Sequence, residues 1–264
     1  MGKTIVISNQ KGGCGKSTTT ANLGFGLARQ GKKVLLLDAD PQHTLTLSLG
    51  VTKPGKLPFT LASAMTSIIT STDTDIDFDA SAGIIRHPEG IDFLPTNATL
   101  AGMELSLVPI MGRETILRQY IDMVKPQYDY ILIDTNPSLG LLTVNALAAA
   151  DRVIVPVMPL FADAKGLELL LITISKIQKQ INPHLSIGGI LFTKVEKCTN
   201  LARDTISVIE NAYGGKIHIF CEHIPKSIRA AETCAHGISI FAYDPKGKVA
   251  AAYTALTREV LESA

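Results

Sequence analysis

Lys16, Ser17 and Thr18 close a glycine-rich run, Gln10-Lys11-Gly12-Gly13-Cys14-Gly15-Lys16-Ser17-Thr18. Residue types in this order serve phosphate. Glycines let successive backbone N–H groups turn inward around an anion. A helix opening at the end of the run adds its partial positive charge. In such a loop Lys16 bridges the β- and γ-phosphates of a nucleoside triphosphate, and the Ser17 hydroxyl holds Mg2+. Gly12, Gly13, Cys14, Gly15 and Thr18 complete the nucleotide-binding set. The match to G-x-x-x-x-G-K-[ST] is incomplete: Gln10 stands where the first glycine belongs, and Lys11 brings an extra cation to the front of the loop.

Two carboxylates at i and i+2 follow in Leu35-Leu36-Leu37-Asp38-Ala39-Asp40-Pro41-Gln42. They leave the carboxyl end of an apolar run, the place where open α/β sheets bind ligands. Asp38 is expected to reach Mg2+ through water, and Asp40 to orient or activate an attacking water. A third acid, Asp134, ends the apolar run Tyr130-Ile131-Leu132-Ile133 and is also expected to hold Mg2+ through water. Many buried strands end in Asp; the spacing after the first two motifs gives this one its meaning.

Short β-rich apolar runs must position these groups. Strands are expected at 4–8, 33–38, 91–94, 130–134, 152–157, 187–193 and 217–220. Several are near-continuous Val/Ile/Leu runs, the pattern of parallel strands covered on both faces. Helices are expected at 16–30, 99–107, 112–125, 140–149, 164–181, 199–213 and 247–262, the first stopping at Gly31. This alternation predicts an α/β fold, a doubly wound, mostly parallel sheet with helices on both faces. Residues 1–264 read as one domain, with a less regular insertion at about 50–90 that contains Pro54, Pro58 and a Ser/Thr/Asp-rich stretch at 66–81.

The 264 residues are 46% hydrophobic and 19% charged, which excludes a disordered or collagen-like chain. No apolar stretch approaches the roughly 20 residues of a membrane span, and no signal-peptide pattern precedes the first strand. The four cysteines form no CxxC pair, so they read as reduced thiols of a cytoplasmic protein. A net charge of +1 does not advertise nucleic acid.

The KGGCGKST loop resembles the deviant Walker A motif of the ParA/MinD superfamily of ATPases. Asp38-Ala39-Asp40-Pro41-Gln42 is similar to the ParA/Soj form of the second motif, and 130–134 to a Walker B strand. Asp134-Thr135-Asn136-Pro137-Ser138-Leu139-Gly140 is similar to the stretch that follows it, with Asn136 a departure. Ile224-Pro225-Lys226-Ser227-Ile228-Arg229-Ala230-Ala231-Glu232 and Tyr243-Asp244-Pro245-Lys246-Gly247-Lys248 resemble two later ParA segments.

The resemblance implies a ParA-type partition ATPase using ATP and Mg2+, with weak intrinsic activity. It implies that Lys11 reaches across a homodimer to the partner's nucleotide, as an arginine finger would. It places Pro225 with the nucleotide-binding residues. It implies non-specific DNA binding, a nucleoid location and stimulation by a ParB-like partner. Residues 188–264 hold nine Lys/Arg against eight Asp/Glu, so any DNA footprint is a local patch. Lys226, Arg229, Lys246 and Lys248 are the candidates, and Arg203 replaces an arginine that relatives carry where this chain has Cys198. The few residues ahead of the first strand leave no room for a helix-turn-helix domain. The alternative reading is a MinD-like membrane-associated positioning ATPase. It requires a basic amphipathic terminal helix, which 257–264 does not provide, so no membrane partner is expected.

Overall fold

Apolar runs become strands here because both faces of each are covered. The structure is a computed structural model that describes residues 2–71, 78–196 and 199–263, and only the backbone of 161–165. Its strands are β1 (Lys3–Ile7), β2 (Val34–Ala39), β3 (Ile85–Arg86), β4 (Asp92–Leu94), β5 (Tyr130–Thr135), β6 (Arg152–Val157) and β7 (Ser186–Phe192). Its helices are α1 (Lys16–Arg29), α2 (Thr44–Ser48), α3 (Leu61–Thr70), α4 (Leu100–Leu107), α5 (Ile116–Val124), α6 (Leu141–Ala149), α7 (Phe161–Gln180), α8 (Asn200–Tyr213), α9 (Ile228–His236), α10 (Ile240–Tyr243) and α11 (Lys248–Glu262).

The strands form one sheet in the order β3-β4-β2-β5-β1-β6-β7. All neighbours run parallel except β3 and β4. Alternate residues feed two cores. Val6, Leu35, Leu37, Ile131 and Ile133 face one layer of helices. Ile5, Ile7, Leu36, Tyr130 and Leu132 face the other. The doubly wound expectation therefore holds, with the ends of its six confirmed strands displaced by at most one residue.

One expectation needs correction. The run 217–220 is not a strand. It touches β7 through one isolated bridge, Ile190 to Ile219, with Ile190 N–H donating to His218 O and Phe220 N–H to Ile190 O. Its apolar character is used otherwise, since Phe220 is buried in the core. The segment shields the outer edge of the sheet, as edge strands require. The 50–90 insertion is helix, loop and a short edge strand. Helix α3 buries Leu61, Ala64, Met65 and Ile68, and β3 adds a short antiparallel edge. Residues 72–77 of its polar stretch lie outside the described residues.

Helix α1 carries the phosphate loop, so its seating matters. It packs on α11, whose Val249, Ala250, Ala252, Tyr253 and Leu256 are buried. The close approach is possible at Gly26, where an added Cβ would fall 2.1 Å from Thr257 Oγ1. Glycine in mid-helix costs about 1 kcal/mol relative to alanine, yet here alanine does not fit. Gly26→Ala is expected to destabilise the protein by roughly 1–3 kcal/mol, the usual cost of overpacking. Adding Thr257→Ala should recover part of that loss. Urea midpoints of the three proteins check both statements.

Candidate active site

The loop between β1 and α1 is prepared for an anion. Gly13 and Gly15 have φ of 75° and 86°, in the left-handed region glycine favours. Helix α1 has no side-chain cap and no acid in its first turn, so its N-terminal N–H groups and partial positive charge face outward uncompensated. Asn9 ties the loop to the sheet. Its Nδ2 donates to Pro156 O at 2.6 Å, and its Oδ1 accepts from Lys11 N–H at 3.0 Å. On the other flank, Thr193 Oγ1 donates to Cys14 O at 2.7 Å.

A pocket of about 340 Å3 opens above the loop. Gly12, Gly13, Gly15, Lys16, Ser17, Thr18 and Asp40 line it, joined by Gln42, Thr44, Pro137 and Lys194. The last four escape sequence reasoning, because the topology alone brings 42–44, 137 and 194 to one place. Lys11 is not in this wall. Cys14 is fully buried, and its thiol donates back to Lys11 O at 3.3 Å. Its side chain is turned away from the pocket, which leaves the backbone as the part of Cys14 on the loop's inner side. Lys11 O also accepts from Lys16 Nζ at 3.0 Å. Pro225 is half-buried, bridged to Val195 and outside the wall.

Asp38 and Asp134 lie beneath the pocket as direct partners across β2 and β5. Asp38 accepts from Thr46 N–H at 2.7 Å, Thr46 Oγ1 at 2.6 Å and Asp40 N–H at 3.2 Å. Burial nevertheless pushes its pKa up to about 6; those three bonds oppose the shift and the charge of Asp40 adds to it. Asp134 is pushed well above the carboxylate range, first by burial and then by Asp38, against the pull of Ser17 and Lys16. Its Oδ1 receives Thr20 Oγ1 at 3.5 Å, and its Oδ2 is buried without a hydrogen-bond partner. An orphaned buried carboxylate oxygen beside a serine hydroxyl fits a divalent cation. Among the described residues no three His, Cys, Asp or Glu side chains converge to hold a metal alone. That suits Mg2+, which keeps several waters and shares a few protein oxygens with phosphate.

Glu104 packs over Gly140 at the start of α6, where an added Cβ would lie 2.1 Å from its Oε1, an oxygen buried without a hydrogen-bond partner.

Comparison with known proteins places this site. An AAA domain family model matches residues 2–187. The chain is 40% identical to the sporulation initiation inhibitor protein Soj of Bacillus subtilis, over 98% of each chain. The chain belongs to the ParA/Soj family of chromosome-partitioning ATPases. It is 33% identical to the chromosome partitioning protein ParA of Caulobacter vibrioides, over 98% of this chain and 94% of that one. A Mycobacterium smegmatis structure named cobyrinic acid a,c-diamide synthase, with bound ADP and magnesium, matches with a TM-score of 0.85 and 34% identity. That match covers 99% of this chain and 95% of the other. The fold expectation and the ParA/Soj resemblance are borne out.

The buried acids make a pH prediction. A carboxylate whose folded pKa is raised favours folding below its unfolded pKa, near 4, and loses that contribution as pH rises through the folded value. For Asp38 the window is about pH 4 to about 6; for Asp134 it extends further upward. Without nucleotide, Asp134→Asn should therefore gain stability over wild type as pH rises from 4 to 7, and should lose the stabilisation that Mg2+ with ATP gives wild type. Thermal midpoints against pH, with and without Mg2+ and ATP, test this. A difference between the two proteins that is flat with pH would contradict it.

Proposed function

We propose that this ParA/Soj-family protein is a DNA partition ATPase that binds ATP with Mg2+, closes into a nucleotide-sandwich dimer, binds DNA without sequence preference and hydrolyses ATP when a ParB-like protein stimulates it. The observation that carries the reading is the pocket itself: a phosphate loop with Asp40 in the wall and an orphaned Asp134 oxygen beneath. The ADP and magnesium bound in the similar Mycobacterium smegmatis structure agree with a nucleotide site, and the relatives' names agree with partition.

In this reading the loop N–H groups and Lys16 hold the phosphate chain, after Lys16 Nζ exchanges Lys11 O for phosphate oxygen. Ser17 would hold Mg2+, with Asp38 and Asp134 placed to support it through water. When bound, the metal neutralises charge on the β- and γ-phosphates. Asp40 orients the attacking water, and its Oδ1 is steadied by Gln42 N–H at 2.9 Å. The water oxygen bonds to the γ-phosphorus, the bond to the bridging oxygen breaks, and ADP and phosphate leave. The absence of Lys11 from its own pocket wall supports its role in the partner's site.

The candidate DNA residues are exposed. Arg229 Nη1 lies 2.8 Å from Asp244 Oδ2, and Lys226 pairs with Glu196. Both cations stay mostly exposed, and exposed pairs contribute little, so DNA phosphates can replace the carboxylates. Lys246 and Lys248 are exposed beside Asp244, and Arg203 is exposed on α8. Cys198, the departure that Arg203 would offset, lies outside the described residues. Few contacts per subunit make binding depend on dimerisation, which doubles them. Among the described residues no helix is long and apolar enough to cross a membrane. The apolar side of α11 is buried against the body of the protein, which disfavours the MinD-like alternative.

Two sets of variants test the proposal. Lys16→Ala should weaken ATP binding by on the order of 100-fold, the loss of a charge-assisted contact. Asp40→Ala should keep ATP binding and slow hydrolysis by on the order of 100-fold or more. Light scattering should show Asp40→Ala doubling its mass with ATP and Lys11→Ala failing to do so; equal masses with and without ATP for Asp40→Ala would refute the sandwich. The double variant Lys226→Ala/Arg229→Ala should dimerise normally, bind DNA more weakly and show a flatter salt dependence. DNA binding equal to wild type at near-physiological salt would displace the footprint.

A further inference from the structure

We infer that Lys194 is a further cation of the nucleotide site and contacts the phosphate chain of the bound nucleotide. The inference rests on reading the loop pocket as an ATP site. Lys194 stands in the wall of that pocket. It also lines the adjoining, mostly apolar cavity of about 310 Å3, with Met158, Leu160, Leu201 and the paired Glu196 and Lys226. It therefore forms the partition between a polar pocket and an apolar one.

Its backbone is the second observation. Lys194 has φ of 52°, and among the described residues only His43 shares a positive φ without being glycine. A residue with a Cβ occupies that region at a cost, and such strain persists where the surroundings over-determine it. Both neighbours are pinned. Thr193 N–H donates to Val157 O at 2.9 Å, and the Thr193 hydroxyl donates to Cys14 O inside the phosphate loop. Val195 N–H donates to Ile224 O at 3.0 Å and Val195 O accepts from Lys226 N–H at 3.2 Å. Glycine would adopt the same conformation freely, so the strain favours a use for the side chain.

The third observation is charge. Among the described residues no carboxylate pairs with Lys194. Lys226, which lines the same apolar cavity, is paired with Glu196. The pocket wall otherwise carries Lys16 as its cation and Asp40 as its acid, with two more acids beneath. A triphosphate there gains from a second ammonium. Because Thr193 is bonded to the loop, Lys194 is held at a fixed place relative to it, so the contact is made on binding and needs no later rearrangement. Its effect falls on nucleotide affinity, and so on KM, with kcat little changed.

Three substitutions separate this role from a structural one. Lys194→Gly removes the ammonium and the strain. Lys194→Asn removes the ammonium with a residue that tolerates the conformation. Lys194→Arg keeps the charge. ATP and ADP affinities, measured by calorimetry across a salt series, should fall about tenfold for the Gly and Asn variants. Their salt slopes should flatten, while AMP changes less and Arg stays within about twofold of wild type. Thermal midpoints without nucleotide should not fall for Lys194→Gly. Wild-type ATP and ADP affinity in the Gly and Asn variants, while Lys16→Ala loses both, would overturn the role of Lys194. Undiminished ATP binding by Lys16→Ala would overturn the nucleotide reading itself, and this inference with it.

Discussion

Two carboxylates, Asp38 and Asp134, are buried side by side at the ends of adjacent parallel strands. Burying like charges together is unfavourable until a cation joins them. The rest of the site follows from that constraint. Thr46 donates twice to one acid, Lys16 and Ser17 lean toward the other, and one oxygen is left for an absent partner. Stability is thereby traded for a place where metal and phosphate fit, a common cost of functional sites.

The sheet makes that arrangement rigid. β1, β2 and β5 lie together at its centre, covered by helices on both faces. The loop on β1 and the acids on β2 and β5 therefore emerge at the same edge without any loop having to reach. Asn9 and Thr193 fasten the loop to β6 and to the exit of β7. Five strands thus hold one phosphate cradle.

Much of this is legible in the sequence because it is local. The phosphate loop, Asp38, Asp40 and Asp134 each sit where an apolar run stops, and pattern alone finds that point. Gln42, Thr44, Pro137 and Lys194 are not legible, since they enter the wall only through topology. The run 217–220 looks like a strand because its apolar residues are buried, yet it makes a single bridge. Strand β3 has two residues and carries no periodicity to read. The carboxylate partners of Lys226 and Arg229 are hidden for the same reason: Glu196 lies 30 positions away, and no helical spacing links Arg229 to Asp244. Sequence reading finds the cations, and the fold supplies their counter-charges.

The contact between Thr19 in α1 and Tyr253 in α11 joins residues 234 positions apart, at 3.2 Å. On the ribosome the phosphate loop emerges early, while the helix that seats it is among the last parts translated. Helix α1 cannot find its packing partner until residue 253 has cleared the exit tunnel. A chain interrupted before that point carries every residue of the phosphate loop, and the Asn9 and Thr193 contacts that fasten it, on a helix whose packing partner has yet to arrive.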